Sequence, residues 1–159
     1  MDARARILDA FRELVLSERF DEFRTQDVID RAGVARSTFY AHFQDKHDLV
    51  LHSMGPILDV LRGTSDHSSD ADALTEVLEH IWENRRIGRL FFQPPMSARL
   101  ARSLISPQAL TDPDRSQTAR THFVANGLLG TIAAWVTGQI TATPDELAAI
   151  LLRLARSAD

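Results

Sequence analysis

Residues 25–50, TQDVIDRAGVARSTFYAHFQDKHDLV, constrain the fold more than any other part of the chain. Val28, Ile29 and Ala32 share one face of a helix that Thr25 is placed to cap, and Gly33 supplies the left-handed residue that ends it. A second apolar set, Phe39, Tyr40 and Phe43, begins a few residues later. Two short helices joined so tightly must cross steeply, the helix-turn-helix geometry that lays a second helix in the DNA major groove. Arg36, Ser37, Thr38 and Tyr40 then stand at the exposed start of that second helix, while Phe39, Phe43, Val28, Ile29, Val34, Phe11 and Leu49 are assigned to the core. The stretch reads as a DNA-binding head.

Arg36 is the first candidate for reading a base, because a guanidinium can bridge guanine O6 and N7. Ser37 and Thr38 can touch bases or phosphates, or cap their own helix. Thr25 and Gln26 open the preceding helix and can donate to the flanking phosphate backbone. Asp45 caps a further helix that begins at Lys46 and carries Leu49, Val50, Met54, Ile57, Leu58 and Leu61, with Gly55-Pro56 expected to kink or reset it.

The stretch also resembles the N-terminal domain of the TetR family of bacterial transcriptional regulators. The resemblance rests on Ala32-Gly33-Val34, Ser37-Thr38-Phe39-Tyr40, His42-Phe43 and Lys46-His47-Asp48-Leu49, and reaches back to Arg6-Ile7-Leu8-Asp9-Ala10-Phe11. It covers roughly residues 4–55 and depends on G-V-x-x-S-T-F-Y-x-H-F followed by K-x-x-L, a far more specific signal than a glycine turn. It implies phosphate contacts for Tyr40, His42 and Lys46, a preference for repression, and an effector pocket in the C-terminal half. A core-packed Tyr40 or His42 is the competing reading.

Charge alone does not point to nucleic acid. The chain of 159 residues carries a net charge of −4. Within residues 1–52, Arg4, Arg6, Arg12, Arg19, Arg24, Arg31, Arg36 and Lys46 face ten acids, so phosphate attraction has to come from local placement. Lys46 is the only lysine. The length suits one domain or two small units, and 44% hydrophobic with 25% charged residues is ordinary for a soluble globular chain. Without cysteine there is no disulfide or thiolate metal site, which fits a cytoplasmic location. The start of the chain lacks a signal peptide's apolar core, and no apolar run approaches about 18 residues, so no membrane span is expected.

His42, His47 and His52 are spaced by five, which is not the i, i+4 spacing of a helical zinc pair. No nucleophile-base pattern, phosphate loop or dinucleotide fingerprint stands out. No metal, cofactor or catalytic activity is expected.

The whole chain reads as all-α: a three-helix, helix-turn-helix head over residues 1–50 and a helical body over 51–159. The fourth helix joins them and runs to a polar, turn-rich stretch at 63–72, where head and body are expected to separate. Helices are expected over 4–17, 73–87 and 96–105, a proline-broken bend over 90–95, a loop over 106–114, and two long helices over 115–139 and 144–157. Thr143-Pro144-Asp145-Glu146 opens the last as a capping box with proline in the first turn.

One head grips too few phosphates for specific binding, so a homodimer reading a palindromic operator is expected. Its interface is assigned to Phe123, Gly127, Leu128, Ile132 and Trp135 on the first long helix and to Leu147, Ile150, Leu151 and Leu154 on the second, forming a four-helix bundle across a two-fold axis. A monomeric core built from the same residues is the alternative. Trp82, Phe91, Phe92, Met96, Leu100 and Phe123 are the candidate lining for a small apolar or aromatic effector, with His80 or His122 as a polar contact. The competing function is a helical interaction module whose head binds a protein partner rather than DNA.

Overall fold

The computed structural model describes residues 2–17, 20, 22–65, 70–105 and 114–158, and every regular element among them is an α-helix. They divide into two units, Met1–Gly55 and Pro56–Asp159.

In the first unit α1 (Ala3–Ser17) buries Ile7, Ala10, Phe11 and Leu14, the apolar stripe of an amphipathic helix. α2 (Thr25–Ala32) buries Val28, Ile29 and Ala32. Thr25 does not cap it. Arg24 is the N-cap residue, and the Asp27 carboxylate accepts the Arg24 backbone N–H. That charge-assisted bond satisfies the helix start without a Thr25 side chain, so the helix opens one residue earlier than expected. Gly33 ends α2 in the left-handed conformation at φ 60°. The α2 C-terminus is closed from outside: the Arg6 guanidinium donates to the carbonyls of Ala32 (2.7 Å) and Gly33 (2.8 Å). A cation at a helix C-terminus also meets the negative end of its dipole.

α3 (Arg36–His42) is anchored by Phe39, which is fully buried, and the chain turns out of it at buried Phe43. α4 (Lys46–Ser53) opens on Asp45, whose carboxylate accepts the Asp48 N–H at 2.9 Å. Between α1 and α2, Phe20 and Phe23 join Phe11 in an edge-to-face cluster with centroids 5.6 to 6.5 Å apart. Lys46 locks this cluster to α4. Its Nζ donates to the carbonyls of Phe20 (2.7 Å) and Phe23 (2.8 Å) and lies 4.5 and 5.1 Å from their ring centroids.

α4 stops at Met54 and α5 (Gly55–Ser65) starts at once, with Pro56 in its first turn where a missing N–H costs nothing. The polar stretch expected to separate head and body begins as helix: Gly63 and Thr64 are buried in α5, and the Thr64 hydroxyl donates to the Val60 carbonyl at 3.1 Å. The division falls instead at Gly55 and Pro56. Residues 66–69 of that stretch lie outside the described residues.

In the second unit α6 (Ala71–Glu83) presents Leu74, Leu78 and Ile81 to the core. It ends at Asn84, whose side-chain amide donates to the His80 carbonyl at 2.9 Å. That contact breaks the single helix expected over 73–87. α7 (Arg85–Phe91) follows, so the expected bend is confined to the residues just before α8 (Met96–Leu104). α8 buries Met96, Leu100, Ala101 and Leu104. The loop expected over 106–114 lies outside the described residues except for Asp114, which caps α9 (Arg115–Val136) through the Ser116 N–H.

α10 (Pro144–Arg156) opens with the expected capping box: the Glu146 carboxylate accepts the Thr143 N–H at 2.8 Å. The Thr143 hydroxyl also donates to Asp145 at 2.6 Å and holds its carboxyl below the usual carboxylate range. α10 packs on α6, and α9 packs on α7 and α8. Trp135 is fully buried, stacked on Trp82 at 4.7 Å, with its indole N–H donating to the Ala142 carbonyl at 2.8 Å.

Two stability tests follow from the head's clamps. Lys46→Met should lower the unfolding free energy by about 2 kcal/mol in urea denaturation, since two charge-assisted bonds are lost; wild-type stability would contradict the clamp. Gly33→Ala should cost about 1–2 kcal/mol from the left-handed backbone alone. It should cost more than Gly138→Ala, because a Cβ at Gly33 meets Arg6 Nη2 at 3.0 Å, whereas one at Gly138 (φ 82°) meets nothing within 4 Å. Equal losses would remove Arg6 from the account.

Candidate nucleic-acid interface

The head holds few cations that its own structure leaves available. Arg6 and Lys46 are engaged with backbone carbonyls. Arg12 pairs with Asp9 at 3.0 Å and Arg31 with Glu13 at 3.1 Å. Arg4, Arg24 and Arg36 are exposed, with no side-chain hydrogen bond or ion pair among the described residues. Of these, Arg36 stands at the first position of α3 and lies over the Tyr40 ring with Cζ 5.6 Å from the centroid. A guanidinium carries its N–H donors in its own plane, so a contact between its face and a ring leaves those donors available.

Around Arg36 the same helix presents Ser37, exposed, and Thr38, half-buried. Neither caps α3, since the N-cap residue is Ala35 and no side chain bonds to that end. Tyr40 is 49% exposed and stands edge-on to Phe39, 5.3 Å between centroids. It is not packed away beneath α1. His42, in the last turn, is exposed beside Phe43. α3 thus gathers Arg36, Ser37, Thr38, Tyr40 and His42 on one short helix whose inner side is fixed by Phe39.

Other expected site residues are placed differently. Thr25 is half-buried at the first position of α2. Gln26 directs its amide N–H to Asp30 at 2.8 Å, within its own helix. Lys46, whose phosphate contact the resemblance implied, has its ammonium drawn inward, because the carbonyls of Phe20 and Phe23 lie outside any helix and need a donor. Arg4 is not among the contacts expected from the sequence. It is exposed in the first turn of α1 with its guanidinium 5.9 Å from the Phe43 ring centroid, and no local pattern links two residues so far apart in the chain. Among the described residues, no group of three or more histidines, cysteines or carboxylates is placed to hold a metal ion.

The body residues also separate. Leu128, Ile132, Trp135, Leu147 and Leu151, expected at a dimer interface, are buried within the single chain, and Ile150 is half-buried. A wide apolar band signals burial without naming the partner, and here α6 and α8 supply it. Phe123 (71% exposed), Leu154 (52% exposed) and Gly127 remain outside and border an open, mainly apolar cavity of about 390 Å³ formed by α9 and α10. Of the expected effector lining only Phe123 borders that cavity. Met96 and Leu100 are core, Phe91 and Phe92 are half-buried, and Trp82 lies between Trp135 and the Arg85 guanidinium, 4.8 Å from its centroid.

Residues 7–52 match the sequence profile of the bacterial regulatory proteins, tetR family. The fold is similar to that of a TetR transcriptional regulator from Streptococcus agalactiae 2603V, with 21% identity, a TM-score of 0.58, and 96% of this chain and 93% of that one covered. It is also similar to the dihydroxyacetone kinase operon activator DhaS, with 17% identity, a TM-score of 0.50, and coverage of 98% and 94%. No curated protein matches the sequence. No helix among the described residues is long and apolar enough to cross a membrane. Residues 7–52 are therefore similar to the bacterial regulatory proteins of the tetR family, and the chain around them shares the fold of a TetR transcriptional regulator.

Proposed function

We propose that the chain acts in the cytoplasm as a non-enzymatic homodimer that binds a palindromic operator and represses by occupying it. The observation that carries this reading is the available guanidinium of Arg36 on an exposed helix held by fully buried Phe39. In a chain of net charge −4, Arg6, Arg12, Arg31 and Lys46 are tied to the protein itself, and Arg36 is an open cation that stands on the exposed second helix of the helix-turn-helix. Ser37, Thr38 and His42 flank it with further donors for bases and phosphates, and Tyr40 flanks it with its ring.

Dimerisation is supported by the cavity of α9 and α10. Its rim exposes Phe123 and Leu154, and a Cβ at Gly127 or Gly130 would meet nothing within 4 Å, which leaves room for a second copy's helix to approach closely. The interface in this proposal therefore centres on Phe123, Gly127 and Leu154 rather than on Trp135. Release by a small apolar or aromatic molecule bound in the body belongs to the same reading. It rests on the family rather than on a cavity lined by Trp82, Phe91, Phe92, Met96 and Leu100. Repression likewise is the family's habit, and one protein similar in fold is itself an operon activator.

Two experiments test the proposal. Purified protein should enrich a palindromic site from fragments of the source genome, and Arg36→Ala should lose about 1–3 kcal/mol of discrimination at one base per half-site. A folded dimer that enriches nothing would contradict the reading. Gly127→Arg should sediment as a monomer while melting no lower than wild type, because arginine is the better helix former by up to about 1 kcal/mol. A dimer surviving that change would place the interface elsewhere.

A further inference from the structure

Arg36 and Tyr40 are one turn apart on α3, and their contact is that of a cation over an aromatic ring, 5.6 Å from Cζ to the centroid, rather than a hydrogen bond. A cation in the first turn of a helix meets the positive end of the helix dipole, so the backbone of α3 does not favour folding Arg36 back onto it. The Tyr40 ring supplies the compensating attraction, through the negative face of its π-system. That ring is in turn oriented by its edge contact with Phe39, interplanar angle 83°, and Phe39 is fully buried. The series core, Phe39, Tyr40, Arg36 carries order from the interior to an otherwise freely rotating guanidinium.

We infer that Tyr40 is a positioning residue for base reading, holding Arg36 in a stacked conformation with its in-plane donors free for a base edge. The inference rests on the proposed DNA reading and deepens it. Stacking and bidentate hydrogen bonding use different parts of the guanidinium, so both hold at once. The role assigns function to the ring of Tyr40, whereas a phosphate contact would assign it to the hydroxyl, and the two separate by substitution. Tyr40→Phe keeps the ring, and Tyr40→Leu removes it. Both are conservative at a position that is 49% exposed.

The test has two parts on the full chain. By NMR of the free protein, the Arg36 side-chain resonances should show a ring-current shift that persists in Tyr40→Phe and vanishes in Tyr40→Leu. Tyr40 is the only tyrosine, so a selectively labelled ring gives one spin system to which the shift is assigned. Unshifted Arg36 resonances in the wild type would overturn the inference. The second part measures preference for the selected operator over one changed at the Arg36-dependent base pair. Tyr40→Leu should lower that preference about two- to fivefold per half-site, Tyr40→Phe should leave it intact, and Tyr40→Leu should add nothing to Arg36→Ala. Equal losses in Tyr40→Phe and Tyr40→Leu would assign the role to the hydroxyl and overturn the inference. A ring-current shift in a wild type that selects no DNA would instead overturn the base-reading function itself, a result distinct from failure of the stack.

Discussion

Two cations bonded to backbone carbonyls hold the DNA-binding head together. Arg6 on α1 closes the C-terminus of α2, and Lys46 on α4 ties down the α1–α2 connection through Phe20 and Phe23. Both satisfy carbonyls that no helix can satisfy internally, and both do so across an element boundary. In a head built from helices as short as seven or eight residues, secondary structure alone is marginal and tertiary bonds have to set the angles. The pose of α3 is thus a consequence: Phe39 and Phe43 are buried, α3 packs on α1, and α1 in turn packs on α2 and α4, which these clamps and the phenylalanine cluster tie to it.

The same constraint decides which residues remain for an outside partner. A basic residue engaged with a carbonyl or a neighbouring carboxylate contributes to the fold, and one left open is available to an outside partner. Lys46, the only lysine and conspicuous in the sequence for that reason, falls in the first class, and Arg36 falls in the second. In a chain of net negative charge, this sorting leaves an available cation at the exposed start of α3.

What was legible in the sequence was chemistry that acts within a few residues. Gly33 as a left-handed helix end, Asp45 as a cap, and Thr143 with Glu146 as a capping box each bond to backbone close by, and each was readable from spacing. The helix-turn-helix was readable because its two apolar stripes sit so close together. The Arg6 and Lys46 clamps, 26 residues from their first partners, had no local signature. Asn84 ended α6 by bonding its own helix, where no glycine or proline gave warning. In the body, Ile132, Trp135 and Leu147 formed an apolar band whose burial was legible but whose partner was not: α6, α7 and α8 cover it within one chain, while Phe123 and Leu154 stay exposed.

The central claim is that α3 reads DNA in the major groove through Arg36. Methylation interference on the selected operator tests it most directly, because a methyl group at guanine N7 blocks the edge that a guanidinium would grip. Wild-type protein should be excluded by methylation at one guanine in each half-site, and Arg36→Ala should bind that modified site as well as the unmodified one. An identical interference pattern for both proteins would show that Arg36 does not touch a guanine and would contradict the account.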